Sequence, residues 1–501
     1  MHSSDCLIVS EQPPTPEGDE KLRNVARAAE RFDRYASFIR HLSLSGAWWL
    51  AIPEGHNGSD THIQHLSSLL AKLTVIASAS RFRPLFPNLR TFKLEPKYRT
   101  HIEHILPLFS CDLPYLESFS IQIGDASNPA DLASLLAILP QIASNLRQIS
   151  VVGGLSMCSE LQPSFAQLIG KLPSLESFEG GPASVSAGVL QKLDHCSHLR
   201  RLIIRGGGRF AEDIVSSACL DTPACGNGCT KHLNAIRRLE LKARPTTLTN
   251  YILERMDSDR LEALTIWISG ENGLSIDEDI RRPITAIVGF PGIMELDIRF
   301  HGELKGTDAS GYWREMQALF AGRRLRNVFL FISIPLEHDL NDGIVESMAR
   351  AWPELRNFAL MWNDDDTPPG PTLRSLVALT TSCPYLETVQ LQSIRSPLGQ
   401  LPPPNVALRP RPLHLRVRKY HVADPENAAT FLTMITSSLT VSRISVFSRA
   451  YFWLDELEED GVWREVVSRM HAIRRMNEIP HPSSGRTMEY TDKYLGIINS
   501  V

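Results

Sequence analysis

The phrase FPNLRTFKL, Phe86 to Leu94, returns in altered form as LPYLESFSI from Leu113, LPSLESFEG from Leu172, WPELRNFAL from Trp352 and CPYLETVQL from Cys383. A catalytic motif serves one site and normally occurs once, whereas a phrase that recurs along a chain marks a structural unit stacked on copies of itself. The recurrence therefore constrains architecture before it says anything about chemistry.

Aligned on an L-x-x-L-x-L frame, the phrase starts at Ile39, Leu89, Leu116, Leu146, Leu175, Leu199, Ile236, Leu261, Ile293, Leu325, Leu355 and Leu386. The fourth and sixth frame positions are apolar, as in Phe92 and Leu94 or Leu264 and Ile266. Alternation with period two predicts a short strand with one face inside. Segments of helical period lie between the frames: THIQHLSSLLAKLTVIAS from Thr61, YRTHIEHILPLF from Tyr98, PADLASLLAIL from Pro129, TLTNYILERM from Thr247, GIVESMARAW from Gly343 and PTLRSLVAL from Pro371. Each repeat is thus one strand and one helix.

Such a unit cannot bury its apolar face alone, so neighbours stack, with a parallel sheet on one side and helices on the other. Strands sit about 4.8 Å apart and packed helices roughly 10 Å apart, so the expected array curves with the strands inside. The fold class predicted is an α/β leucine-rich-repeat solenoid, a horseshoe with parallel strands on the concave face and helices on the convex face. Proline in FPNL, LPYL, LPSL, WPEL and CPYL disfavours helix in the residue before it and stops each helix where the next strand begins.

At 501 residues, 43% hydrophobic and 22% charged, the chain has globular composition, and a formal charge of -4 gives no global attraction for nucleic acid or acidic lipid. The N-terminus carries no basic start with a following apolar run, and no stretch of about 18 apolar residues occurs. A soluble chain, cytoplasmic or nuclear, with no membrane partner is expected. The eight cysteines are mostly far apart and form no secreted-type framework, so reduced thiols are expected. Residues 1–20 read as a disordered segment, 21–475 as the irregular solenoid and 476–501 as a tail.

These repeats resemble the leucine-rich repeats of the ribonuclease-inhibitor kind, and more narrowly the repeat region of fungal F-box proteins. PPTPEGDEKLRNVARAAERFDRYASFIRHLSL, from Pro13 to Leu44, resembles the link between F-box and first repeat; Pro-Asn-Leu and Pro-Tyr-Leu strand entries recur; and GVWREVV around Trp463 resembles the closing helix of that family. The resemblance implies a substrate receptor of a cullin-type ubiquitin ligase. An F-box of some forty to fifty residues would precede Pro13, where twelve residues stand, so the F-box is expected to be absent from this chain. A Skp-type adaptor is expected as a partner only if an F-box exists upstream.

Frame positions three, five and seven point away from the core and line the expected concave face. Early repeats place small or polar groups there, such as Ser43, Lys93 and Ser120; middle repeats place Arg201, Arg205, Arg238, Lys242, Asp297 and Arg299; later repeats place Trp267, Phe329, Phe331 and Met361. Aromatic residues flanked by arginine have the composition of a protein-binding hot spot, because rigid rings bury area at little entropic cost. The candidate partner-binding residues are accordingly Arg205, Trp267, Arg299, Phe329, Phe331 and Met361, facing a protein ligand whose identity the residues do not give. Cover by the chain's own segments, such as LPPPNVALRPRP from Leu401, a second local core, or a frame out of register are the other readings of the same rings. An alternative function class is a nucleic-acid or ribonucleoprotein binder using an arginine ladder of Arg200, Arg201, Arg205, Arg237 and Arg238, which the overall charge argues against.

Cys219, Cys225, Cys229 and His232 are the one dense set of metal-ligand types, but their spacing departs from the paired pattern of zinc sites. They coincide with the long step of 37 residues between the Leu199 and Ile236 frames, so a loop insertion is the expectation and no metal or other cofactor is assigned. His101 and His104 lack a third ligand; the acidic runs Asp364 to Asp366 and Glu458 to Asp460 lack the spacing of a calcium loop; Gly206 to Gly208 lack the lysine of a phosphate-binding loop. Without a nucleophile and base at recognisable spacing, a non-catalytic protein is expected.

Overall fold

The computed structural model describes residues 27, 30, 34–45, 86–95, 113–123, 129–153, 158–181, 187–205, 233–242, 246–256, 259–269, 273–302, 314–321, 324–332, 340–362, 370–396, 411–422, 424–443 and 461–478. The chain divides into two compact units, Met1–Arg324 with Leu330–Ile334, and Leu325–Phe329 with Pro335–Val501.

Among the described residues of the first unit nine strands lie in chain order, all neighbours parallel: β1 His41–Ser45, β2 Thr91–Glu95, β3 Ser118–Ile123, β4 Gln148–Gly153, β5 Ser177–Gly180, β6 Arg201–Arg205, β7 Arg238–Lys242, β8 Ala263–Ser269 and β9 Glu295–His301. Register is set by the frame. Fourth-position residues pair with fourth-position residues, as Phe92 with Phe119 and Leu239 with Leu264, because a slip by one residue would turn every apolar side chain outward. From β2 to β9 the fourth and sixth positions are buried, from Phe92 and Leu94 to Leu296 and Ile298, and the Phe92 and Phe119 rings stack at 5.7 Å.

Helices α1 Pro129–Ile142, α2 Cys158–Gly170, α3 Ala187–Asp194, α4 Thr246–Arg255 and α5 Arg282–Val288 return the chain between strands. In α1 the buried residues are Leu132, Leu135, Leu136, Leu139 and Ile142, the spacing of one helical stripe. A π-turn, Ile276–Arg281, leads into α5, and a short 3-10 turn, Gln317–Ala321, stands where a helix is found in other repeats.

The strand entries explain the recurring phrase. The residue after the first frame position offers its carbonyl to two consecutive N–H groups of the next repeat in ten described repeats, for example Arg90 O, which accepts from Glu117 and Ser118 at 2.8 and 3.0 Å, and Arg147 O, from Glu176 and Ser177 at 2.7 and 3.0 Å. Asparagine before the leucine ties backward, Asn88 Nδ2 donating to Ser37 O at 2.6 Å and Asn145 Nδ2 to Pro114 O at 2.7 Å. These bonds satisfy backbone groups that a bend from helix to strand would otherwise leave without partners.

Strand β10 Asn327–Ile332 falls across the division, residues up to 329 with the second unit and those from 330 with the first. The second unit continues with β11 Asn357–Trp362, β12 Thr388–Arg395, β13 Arg411–His421 and β14 Thr436–Arg443, again parallel and in order. Its helices are α6 Asp342–Ala351, α7 Leu373–Ser382, α8 Pro425–Ile435 and α9 Gly461–Glu478. Trp352 and Cys383, each followed by proline, cap α6 and α7 with φ/ψ of −119°/67° and −113°/84°, outside the helical region as the pre-proline clash requires. Asp342 staples the two repeats, accepting from Thr372 N and Oγ1 at 2.7 Å each and from Ser375 Oγ. Cys383 is buried, its Sγ 3.5 Å from the carbonyls of Ala349 and Trp352, and burial pushes its thiol pKa up to about 12. Such a thiol packs as a small apolar group.

Each unit is thus built as an α/β leucine-rich-repeat solenoid. All twelve expected frames carry strands, and β13 and β14 are two more that the frame does not reveal. The helical segments expected from Thr61 and Tyr98 lie outside the described residues, as do residues 1–20 and 479–501. No described helix is long and apolar enough to cross a membrane.

Candidate functional site

Outward positions of β5 to β9 form three charged rows. On frame position three Arg201 and Arg238 project; on position five Glu179, Glu240 and Asp297; on position seven Arg205, Lys242 and Arg299. Rows of opposite sign bond diagonally between strands, Arg205 to Glu179 at 2.6 Å and Arg201 to Glu240 at 2.7 Å, and along a strand between alternate residues, Lys242 to Glu240 at 3.1 Å and Arg299 Nε to Asp297 at 2.9 Å. Arg238 reaches across β8 to Glu295 at 3.0 Å; the residue between them in register is Ala263, small enough to let the arm pass. The pairs Arg201–Glu240 and Arg205–Glu179 close around Ile203, which points to the same face yet is only 2% exposed. Burial alone would raise the Glu240 pKa, but hydrogen bonds and charge from Arg201 and Lys242 outweigh it and hold the carboxyl below its ordinary value.

Trp267 stands in the third row. Lys242 Nζ lies 5.1 Å and Arg299 Cζ 4.7 Å from its ring centroid, one from the strand on either side, so both flanks of the indole carry a cation. Each contact of this kind contributes on the order of 0.5–2 kcal/mol. The indole Nε1 is buried with no hydrogen-bond partner among the described residues, an uncommon state for a tryptophan. His301 extends the cluster, 6.3 Å from Trp267 and 4.9 Å from Phe331 by ring centroids.

The structure therefore brings together Trp267, Arg299 and Phe331, and sets Arg205 in the same cationic row. Phe329 is half-buried on β10. Met361 corrects the expectation of a solvent-facing residue: it is 8% exposed, with Gln390 Nε2 3.7 Å from its sulfur. Frame position seven gives its direction correctly, but that side of β11 and β12 is itself buried, with Ala359, Gln390 and Gln392 at 9% exposure or less. Lys242, expected on this face but not among the candidate binding residues, belongs to the cluster, as do Glu240 and His301. Glu240 meets Arg201, Lys242 meets Trp267, and His301 meets Trp267 and Phe331 from neighbouring repeats, which a single frame cannot show.

Of the five arginines in the expected basic ladder, four are paired: Arg201, Arg205 and Arg238 as above, and Arg237 with Glu262 at 2.9 Å. Cys219, Cys225, Cys229, His232, His101, His104, both acidic runs and Gly206 to Gly208 lie outside the described residues. No group of metal-ligating side chains occurs among the described residues.

No family profile matches the sequence, and no curated protein is similar to it. Solved structures are similar in fold. A chain of the yeast Rad7 and Elc1 complex matches with 13% identity and a TM-score of 0.40, over 85% of this chain and 94% of that one. The leucine-rich-repeat-containing protein LegL7 from Legionella pneumophila matches with 11% identity and a TM-score of 0.34, over 76% of this chain and 97% of that one.

Proposed function

We propose that this chain is a non-catalytic protein-binding scaffold whose docking surface is the strand face of β6 to β9 together with Phe331. The observation that carries the reading is the Trp267 cluster. A large ring held between two cations and left partly accessible is rigid before any partner arrives. Rigid aromatic groups beside arginine are the usual anchors of protein interfaces. In the family the repeats resemble, this half of the molecule recognises the substrate of a ubiquitin ligase; the same role is proposed here, with a Skp-type adaptor engaging only a form that carries an F-box. A nucleic-acid partner is disfavoured because the acidic row sits within the basic ones and neutralises them.

The test is quantitative affinity purification with the 501-residue chain. Proteins recovered in stoichiometric amount should be lost with Trp267→Ala/Phe331→Ala and retained with Lys171→Ala, an exposed change away from the strand face. Equal recovery by the double variant, with its thermal transition intact, would discard this surface.

A further inference from the structure

Strand β13 of the second unit, RPLHLRVRKYH, carries six basic residues, Arg411, His414, Arg416, Arg418, Lys419 and His421, and no acidic one. Leu413, Leu415 and Val417 are buried in the core, so His414 and Arg416 occupy frame positions three and five of the strand face, and Arg418 follows at position seven. We infer that the strand face around Arg416 is a binding site for a phosphate-type dianion, separate from the Trp267 surface and independent of the docking reading.

Three observations carry it. In register, Arg416 lies between Gln390 on β12 and Ser442 on β14, and His414 between Thr388 and Thr440, so the positions flanking both cations are uncharged. On β6 and β7, by contrast, the outward cations Arg201, Arg205 and Lys242 each hold a carboxylate of their own face. Arg416 is half-buried, forms no ion pair among the described residues, and has its Nε enclosed without a hydrogen-bond partner. A guanidinium partly withdrawn from water costs free energy unless a counter-charge is near. Its charge also reaches His414, where burial first and Arg416 second hold the imidazole pKa below its ordinary value. An anion beside Arg416 offsets both effects. Finally, Gln390, in register with Arg416 and 9% exposed, gives its amide Nε2 to the Met361 sulfur at 3.7 Å, a weak acceptor. Rotation of this amide toward Arg416 exchanges the sulfur for an anionic oxygen.

Charge and shape select the class of anion. Positions five and seven of β13 hold two arginines, so a dianion is matched in charge where a single carboxylate leaves one cation over. Three phosphoryl oxygens accept from the Arg416 fork and from Gln390 together, whereas one guanidinium occupies both oxygens of a carboxylate. A nucleic-acid strand fits less well, because each diester carries a single charge and the strands on either side of β13 place no cation at the matching positions.

Calorimetric titration of the full chain at fixed ionic strength tests the proposal with four probes: inorganic phosphate, a serine-glycine peptide bearing one phosphoserine, the same peptide with glutamate at that position, and a single-stranded oligonucleotide. Phosphate and the phosphoserine peptide should bind, and the glutamate peptide should bind roughly tenfold more weakly or worse. Arg416→Gln should cost the phosphoryl probes about tenfold or more, Arg416→Lys, which keeps the charge and loses the fork, a severalfold loss, and Trp267→Ala none. A phosphoserine peptide that binds more tightly than inorganic phosphate identifies a modified polypeptide as the source, and one that binds equally or less tightly identifies free phosphate. Lack of binding by both phosphoryl probes, equal binding of the glutamate peptide, tighter binding of the oligonucleotide, or a phosphoryl affinity unchanged in Arg416→Gln would each overturn the inference. Should Arg416→Gln lose its thermal transition, Arg416→Lys carries the comparison, and an affinity equal to that of the native chain overturns it in the same way.

Discussion

Strands β8 and β11 share one frame, yet they use their outward positions differently. In β8 burial alternates strictly after Ala263: Leu264, Ile266 and Ile268 are buried, while Thr265, Trp267 and Ser269 remain partly accessible among charged neighbours. In β11 everything after Asn357 is buried, Phe358, Leu360 and Trp362 on the core side and Ala359 and Met361 on the other. A strand buried on one face needs apolar residues at every second position, whereas one buried on both reads as a continuous apolar run, as FALMW does. The outward residues of the two strands are chemically suited to these settings. Around β8 they are long and charged and satisfy one another across strands; around β11 and β12 they are small or uncharged, alanine, methionine and glutamine. A repeat frame fixes which way a side chain points, and the neighbouring strands decide what it meets.

The largest effect should come from the two tryptophans. Trp362 is 1% exposed, and Trp362→Ala should cost about 3–5 kcal/mol, whereas Trp267, partly accessible and held at its flanks by side chains that can reach water, should lose only about 1–2 kcal/mol on the same truncation. Calorimetric unfolding of the two variants measures the difference. Equal losses would mean that the β8 face is packed as tightly as the core.

A charge introduced at matching frame positions should separate the faces next. Thr265 lies in register between Glu240 and Asp297, so Thr265→Lys places an ammonium between two carboxylates and should change stability by no more than about 0.5 kcal/mol. Ala359 occupies the same frame position in β11 at 8% exposure, pairs in register with uncharged Gln390, and has no carboxylate at that position to receive a lysine. Ala359→Lys should cost about 2–4 kcal/mol, reduced to the extent that its long stem carries the charge outward. Urea midpoints for the two variants check the contrast, and similar midpoints would sink it.

Much of this was legible in the sequence because it repeats. Each of the twelve leucine frames marks a strand, since the first, fourth and sixth positions must be apolar wherever the sheet covers the helices. Strands β13 and β14 escaped because register aligns their frames on Pro412 and Ser438, where leucine is expected, and puts Arg443 at the sixth position of the last. Helix α2 keeps a regular buried stripe, Leu161, Phe165, Leu168 and Ile169, but Pro163 on its exposed side reads in sequence as a helix breaker. In the candidate site, Trp267, Arg299 and Phe331 were visible from alternation alone. The ion pairs were not: Arg201 finds Glu240 39 residues away, and Arg238 finds Glu295 57 residues away, through a diagonal register that only stacked repeats create. Met361 shows what a repeat frame leaves open: position seven gives its direction, whereas its cover comes from other residues.

The smallest effect concerns acid, and it belongs to the charged face alone. Glu240 is held below its ordinary pKa by Arg201 and Lys242 against the opposing influence of burial. A carboxyl whose pKa is lower folded than unfolded contributes stability that is complete above the unfolded value, near 4.3, and disappears as pH falls through the folded value. Glu240→Gln removes that contribution while keeping the shape, so it should cost about 1 kcal/mol at neutral pH, a magnitude limited by the partly solvated arms of Arg201 and Lys242. The gap between native protein and variant should hold from pH 7 to pH 5 and narrow below about 4.3. Gln390→Ala, at the equivalent position of β12, removes no ionisable group, so its gap from the native protein should stay level across the same range. A Glu240→Gln gap that also stays level down to pH 3 would show that Glu240 owes nothing to its two cations, and the charged face would then be a set of neighbours without mutual support.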